Sequence, residues 1–136
     1  IGVTSLGVGR ASIRKQKNMD GNSLNLSPSI LFVGADKETE ADQAVAAITP
    51  RSASDVNPFG GKLTVVTEGS ITGNAWELYA DPSFAPVWSY GYLQDAPGPR
   101  VFSAQETGFD GMSWQVTEDF YAGAIDFRGG YRNAGG

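Results

Sequence analysis

Cysteine and histidine are both missing from this chain of 136 residues. Without thiols there is no disulfide, no cysteine nucleophile and no sulfur-ligated metal, and the fold should not depend on an oxidising compartment. Without imidazole the Ser-His and Cys-His triads are excluded, as are zinc sites of the usual ligand set and histidine acid-base chemistry. Charge is sparse, at 18% of residues, and it is unbalanced toward acid, for a net charge of −5. The only basic cluster, Arg14-Lys15-Gln16-Lys17, is too short to make a phosphate-binding face, so specific nucleic-acid binding is not expected. No apolar run approaches the ~20 residues of a membrane span and no stretch has the pattern of a secretory signal, so no membrane partner is expected either.

What is present is the composition of a packed domain, 40% hydrophobic and 11% aromatic. A chain of this length can bury a single core without staples. Eighteen glycines and seven prolines imply many turns. The first residue is Ile1 rather than Met, which points to a fragment or a processed product.

Residues 3–17 read as a helix with Val3, Leu6 and Ile13 on one side and Gly7 and Gly9 as weak points; its basic end complements the helix dipole. A turn at Asn18-Met19-Asp20-Gly21 follows. Residues 23–34 give a short strand, a break at Pro28 and the run Ile30-Leu31-Phe32-Val33, apolar enough for a central strand covered on both faces. Ala41, Ala44, Val45 and Ile48 then stand at i, i+3, i+4 and i+7, the stripe of a second helix with Asp36 as N-cap and Pro50 as stop. Residues 51–61 read as an exposed, mobile loop. Strands are expected over 62–67, over 75–80 around Trp76 and Tyr79, and over 87–93 around Trp88, Tyr90 and Tyr92.

The sequence Ala96-Pro97-Gly98-Pro99 is the best internal boundary, separating an α+β core over 1–97 from residues 98–136. Beyond it, Met112, Trp114, Val116 and Phe120 alternate with Ser113, Gln115, Thr117 and Asp119. That is strand period, so residues 101–133 read as one long hairpin turning at Gly108-Phe109-Asp110-Gly111. The fold class is therefore α+β: a mixed sheet flanked by two helices, followed by a long antiparallel β-hairpin.

Candidate chemistry is thin. Asp36, Glu38, Glu40 and Asp42 lack the Gly-centred loop of a calcium hand and fit a solvated helix start. Asp20-Gly21-Asn22 is followed by Leu24 and Leu26 where oxygen ligands would be needed, so it reads as a turn. Gly7-Val8-Gly9 follows no strand and precedes no Lys-Ser/Thr pair, against a phosphate cradle. Glu118, Asp119 and Asp126 sit among aromatics, and Glu118 with Asp126 on one strand face would resemble a glycosidase pair. The competing reading pairs these carboxylates across the hairpin or with Arg128. Trp76, Trp88, Trp114, Tyr79, Tyr90, Tyr92 and Tyr121 would suit either a sugar-stacking platform or a core and interface. A carbohydrate-binding or glycoside-cleaving domain is thus the alternative function.

The order of motifs carries more. A basic helix end and Asp-Gly turn lead to Leu24-x-Leu26-x-Pro28-x-x-Leu31-x-Val33 and an Ala-rich helix. Asn57-Pro58-Phe59-Gly60-Gly61 precedes a Leu-x-Val-Val strand, and Trp76-x-Leu78-Tyr79-Ala80-Asp81-Pro82 follows. The chain closes with Trp114-Gln115-Val116, Asp119-Phe120 and the stretch from Gly123 to Asn133. From about Leu6 to Asn133 this resembles the carboxy-terminal part of tailed-bacteriophage and prophage major capsid proteins of the Hong Kong-97 type. Within that group it is most similar to fusions of prohead protease and major capsid protein, and more distantly to Mu-like head subunits.

The resemblance implies a structural shell subunit with no catalytic, cofactor-binding or metal-binding residues. Its partners would be further capsid subunits, in pentamers or hexamers, in a virion assembled in the bacterial cytoplasm. It implies that 24–93 belong to the axial domain around the capsomer axes, with loops 51–61 and 69–74 near neighbours, and that 101–128 return to the peripheral domain. The amino-terminal arm, extended loop and spine helix of that family have no counterpart here, nor has the protease. The apolar face of Trp114, Val116 and Phe120 would then have to repack locally or bind another copy.

Overall fold

The computed structural model describes residues 1–46, 56–105, 107–108 and 110–135. The chain is α+β, and these residues fall into two compact units, Ile1–Val87 with the tail from Asp126 onward, and Trp88–Ile125. The first unit contains helices α1 (Val3–Arg14) and α2 (Glu38–Val45) and strands β1 (Pro28–Gly34), β2 (Thr64–Glu68), β3 (Trp76–Ala80) and β8 (Gly130–Asn133). The second contains β4 (Trp88–Tyr92), β5 (Arg100–Gln105), β6 (Met112–Thr117) and β7 (Phe120–Ala124). Residues 98–136 thus contribute strands to both units.

In the first unit the sheet order is β2-β1-β3-β8. Strand β1 runs parallel to β2 and antiparallel to β3, and β3 is antiparallel to β8. The β1-β2 pairing requires a crossover, and α2 lies in it. Register aligns Val65, Leu31, Leu78 and Tyr131 in one row across the sheet. Leu31, Val33, Trp76 and Leu78 on this face pack with Leu6 and Ile13 of α1 and Ala41 of α2 into one core. Each of the larger aliphatic side chains contributes roughly 1.5–3 kcal/mol through its burial.

Both helices therefore cover the same face. The run Ile30-Leu31-Phe32-Val33 is central, as its composition predicts, but it is not covered on both sides: Ile30 and Phe32 are only half-buried. On that second face Phe32 meets Tyr79 edge to face with ring centres 6.3 Å apart, and the Tyr79 hydroxyl donates to Glu77.

Several local expectations change. Helix α1 ends at Arg14 rather than Lys17, and Gly9 is its closest approach to the sheet. A Cβ at Gly9 would stand 2.7 Å from Leu78 Cδ1 and 2.9 Å from Tyr131 Cδ1. Glycine there permits packing that any side chain would push apart. Asp36 is not the N-cap of α2: it lies in a 3-10 turn (Ala35–Lys37), and Lys37 takes the cap position. Helix α2 ends at Val45 with Ala46 extended; Ile48 and Pro50 lie outside the described residues. Its last carbonyls accept from the Asn57 side-chain amide at 2.7 Å and the Gly61 N–H at 3.0 Å, which satisfies groups every helix end leaves open. Asn57 Oδ1 in turn accepts from the Phe59 N–H, and Phe59 is buried in the core. The described part of the 51–61 loop is thus a core plug rather than a free excursion.

The contrast between two glycines of α1 is measurable. Gly7 has open space around its Cα, so Gly7→Ala is expected to raise stability by about 0.5–1 kcal/mol. Gly9→Val is expected to lower it by about 1–3 kcal/mol through overpacking against Leu78 and Tyr131. Urea unfolding midpoints should move in opposite directions; equal shifts would contradict the packing described for Gly9.

Candidate functional site

The aromatic residues that would form a platform do not converge. Trp76 and Tyr79 belong to β3: Trp76 is buried with its ring 5.9 Å from that of Tyr131, and Tyr79 stacks on Phe32. Trp88, Tyr90, Tyr92 and Tyr121 lie on the β4-β7 ribbon, and Trp114 on the β5-β6 ribbon.

The carboxylates are equally dispersed. Glu118 lies in the link between β6 and β7, and Asp126 lies beyond the end of β7, so the two do not share a strand face. Asp126 Oδ1 accepts from the Arg128 backbone N–H at 2.9 Å and Oδ2 from its guanidinium at 3.0 Å. The Arg128 backbone N–H holds the Asp126 carboxyl below the usual aspartate range, assisted by the Arg128 side chain. A glycosidase acid needs the opposite shift. Asp119 pairs with Arg100 across the second unit, as the cross-hairpin reading expects.

The remaining acidic and glycine-rich motifs have local structural roles. Glu40 pairs with Lys37 Nζ at 2.8 Å and with the Ile1 amino group. Asn18 Oδ1 accepts from the backbone N–H groups of Asp20 and Asn22 and closes the 18–22 turn. Gly7-Val8-Gly9 is helix interior, its amides committed to α1. Among the described residues no group of three acidic side chains is placed to hold a metal ion, and no helix is long and apolar enough to cross a membrane.

What stands out is the second unit. It consists of two separate two-stranded ribbons, β4-β7 and β5-β6. The alternation over 112–120 is real, but it spans two strands, because β6 turns back against β5 while Phe120 begins β7 and pairs with Tyr92 of β4. On β4-β7 the residues Trp88, Tyr90, Tyr92 and Phe120 share one face, with Tyr92 packed between Tyr90 and Phe120 at 6.2 and 5.6 Å. The opposite face is bare at Gly91 and Gly123, and Tyr121 lies across Gly123. On β5-β6, Val101, Met112, Trp114 and Val116 share a face.

All of these remain open to solvent. Trp114, Val116 and Phe120 are 69%, 66% and 57% exposed, so of the two outcomes expected for them, local repacking or binding of another copy, the first does not occur. Twelve large apolar side chains of this unit are exposed, and Ala96 is its only buried hydrophobic among the described residues. A two-stranded ribbon is marginal by itself in water, and a unit with this surface and no core lacks the usual source of stability.

A family model for phage capsid protein matches residues 1–133. The chain belongs to the phage capsid protein family. No curated protein and no solved structure matches it significantly. Membership gives this phage capsid protein a structural role in the virion, where it stands beside other capsid subunits. The exposed ribbons of the capsid chain were visible in the sequence only as an alternation; that they lack cover follows from strand pairing, which no local signal contains. That Arg10, Arg14 and Lys62 gather at one cavity was not legible in the sequence, where Arg14 stood only as part of the basic helix end. The i, i+4 spacing of the two arginines was the available clue.

The capsid chain's turn carboxylates set its acid stability. Asp126 is shifted down by the Arg128 N–H, Asp81 by that of Ser83 and Glu68 by that of Ser70. Their ionised forms favour the folded state, so their contribution is complete above the ordinary carboxylate range and is lost as the pH falls through the lowered values. Stability measured by urea unfolding is expected to drop more steeply below pH ~4 in the parent than in the triple variant Glu68→Gln, Asp81→Asn, Asp126→Asn. Superimposable pH profiles would refute this.

Proposed function

We propose that this chain is the carboxy-terminal part of a major capsid subunit of the Hong Kong-97 type, related to fusions of prohead protease and capsid protein, that acts by symmetric self-assembly into capsomers in the bacterial cytoplasm. In this reading residues 1–97 are axial-domain-like, residues 98–136 return toward the peripheral domain, and the loop at 69–74 lies near a neighbouring subunit. Its role is geometric rather than catalytic. Head-to-tail contacts around a five-fold or six-fold axis close into rings.

The observation that carries the proposal is the coreless second unit. Its seven aromatic side chains that are exposed among the described residues, covered by a neighbour, would bury on the order of 800 Å² per subunit, the size of a standard specific interface. Family membership supports capsid subunits as that neighbour. The downward shift of Asp126 and its separation in sequence and strand from Glu118 weigh against acid catalysis.

Electron microscopy of the full-length subunit, expressed with its protease, is expected to show closed shells; absence of particles would refute the proposal. In the present chain, Tyr90→Ser and Trp114→Ser are each expected to weaken self-association at least tenfold, about 1.4 kcal/mol, by sedimentation velocity. Both side chains are more than two-thirds exposed, so circular dichroism should be unchanged.

A further inference from the structure

In the first unit, the last two turns of α1, the start of β1 and the loop around Phe59 enclose a cavity of about 310 Å³ lined by Arg10, Arg14, Ser27, Phe59 and Lys62, among others. Arg10 and Arg14 are one helical turn apart and project from the same side. The Arg10 guanidinium lies 4.6 Å from the centre of the Phe59 ring. Arg14 donates to Asn25 Oδ1 at 3.2 Å and to Ser27 Oγ at 3.0 Å. Asn25 has φ of 46°, the only positive value outside glycine among the described residues.

Every one of these partners is neutral. Among the described residues no carboxylate pairs with Arg10, Arg14 or Lys62; the ion pairs of Lys37, Arg100, Arg128 and Arg132 all lie elsewhere. The cavity therefore holds two oriented guanidinium groups and an ammonium whose charge no carboxylate among the described residues compensates. A guanidinium fork matches a carboxylate in geometry and charge.

The second unit has the opposite imbalance. Residues 88–125 contain Asp95, Glu106, Asp110, Glu118 and Asp119 against Arg100 alone. We infer that the Arg10, Arg14 and Lys62 cavity is a carboxylate receptor, and that its occupant is an acidic side chain from the second unit of a neighbouring copy of this chain. The inference rests on the self-assembly proposed above and adds the polar contact that sets its register. A nucleic-acid backbone is disfavoured as occupant, because the chain carries a net charge of −5 and these cations converge on one cavity instead of forming a stripe.

Sedimentation velocity on the whole chain tests this, comparing the parent with Arg14→Glu combined with Lys62→Glu and with the charge-conserving variant Lys62→Arg. Both sites are exposed, and Arg10 is left in place because it packs on Phe59. At about 50 mM salt the charge-reversed pair is expected to associate at least tenfold more weakly than the parent, with Lys62→Arg close to the parent and the parent weakened by added salt. Equal association of parent and charge-reversed pair would overturn the receptor and leave self-assembly standing. Loss of association in Lys62→Arg as well would mark a packing role and overturn it too. A parent that stays monomeric at all concentrations would instead remove the self-assembly of this chain. Binding of a labelled single-stranded oligonucleotide that is lost in the charge-reversed pair, with association unchanged, would make the cavity a phosphate site and reject the inference.

Discussion

Close approach of α1 to the sheet at Gly9 is the contact on which the first unit depends. With no side chain at that position, Leu78 and Tyr131 can press against the helix while Leu6 and Ile13 on either side enter the core. That helix packs over the Leu78 and Tyr131 end of the row that begins at Val65 and Leu31. Helix α2 covers the remaining part of the same face, and the Asn57 turn ties its last turn to the Phe59 plug. One sheet face, two helices and one loop thus form a continuous core, and the other face makes do with the Phe32 and Tyr79 pair and polar contacts.

Nothing comparable organises residues 88–125. Backbone pairing runs the length of each ribbon, yet among the described residues the apolar faces it creates have no layer against them. Secondary structure without a second layer is not a stable arrangement for a chain in water. On the self-assembly proposed above, a subunit would store part of its burial for the moment of association, so that folding and association would draw on the same hydrophobic effect. The acidic character of the same unit would keep unassembled copies apart except where a matching cation is presented.

The carboxylates illustrate how local hydrogen bonding limits chemistry. Asp81, Asp126 and Glu68 each accept from the backbone N–H two residues ahead, a turn-stabilising geometry that favours the ionised form. Aromatic neighbours in the sequence suggested raised values for Asp126; the turn reverses that, because the backbone hydrogen bond to the anion at 2.9 Å outweighs the opposing effect of desolvation.

By itself the sequence determined the α+β class, the central Ile30-Leu31-Phe32-Val33 strand, the two helices near their observed places and the resemblance to capsid proteins. Those properties follow from periodicity, composition and motif order, all of which are local or linear. Tertiary structure alone decided that both helices share one sheet face, that Gly9 is a contact rather than a weak point, that Phe59 belongs to the core and that β6 and β7 pair with different strands. It also decided that Arg10, Arg14 and Lys62 surround one cavity. Each of these depends on which segments meet across the chain, and strand alternation is identical whether a face finds a partner or remains exposed.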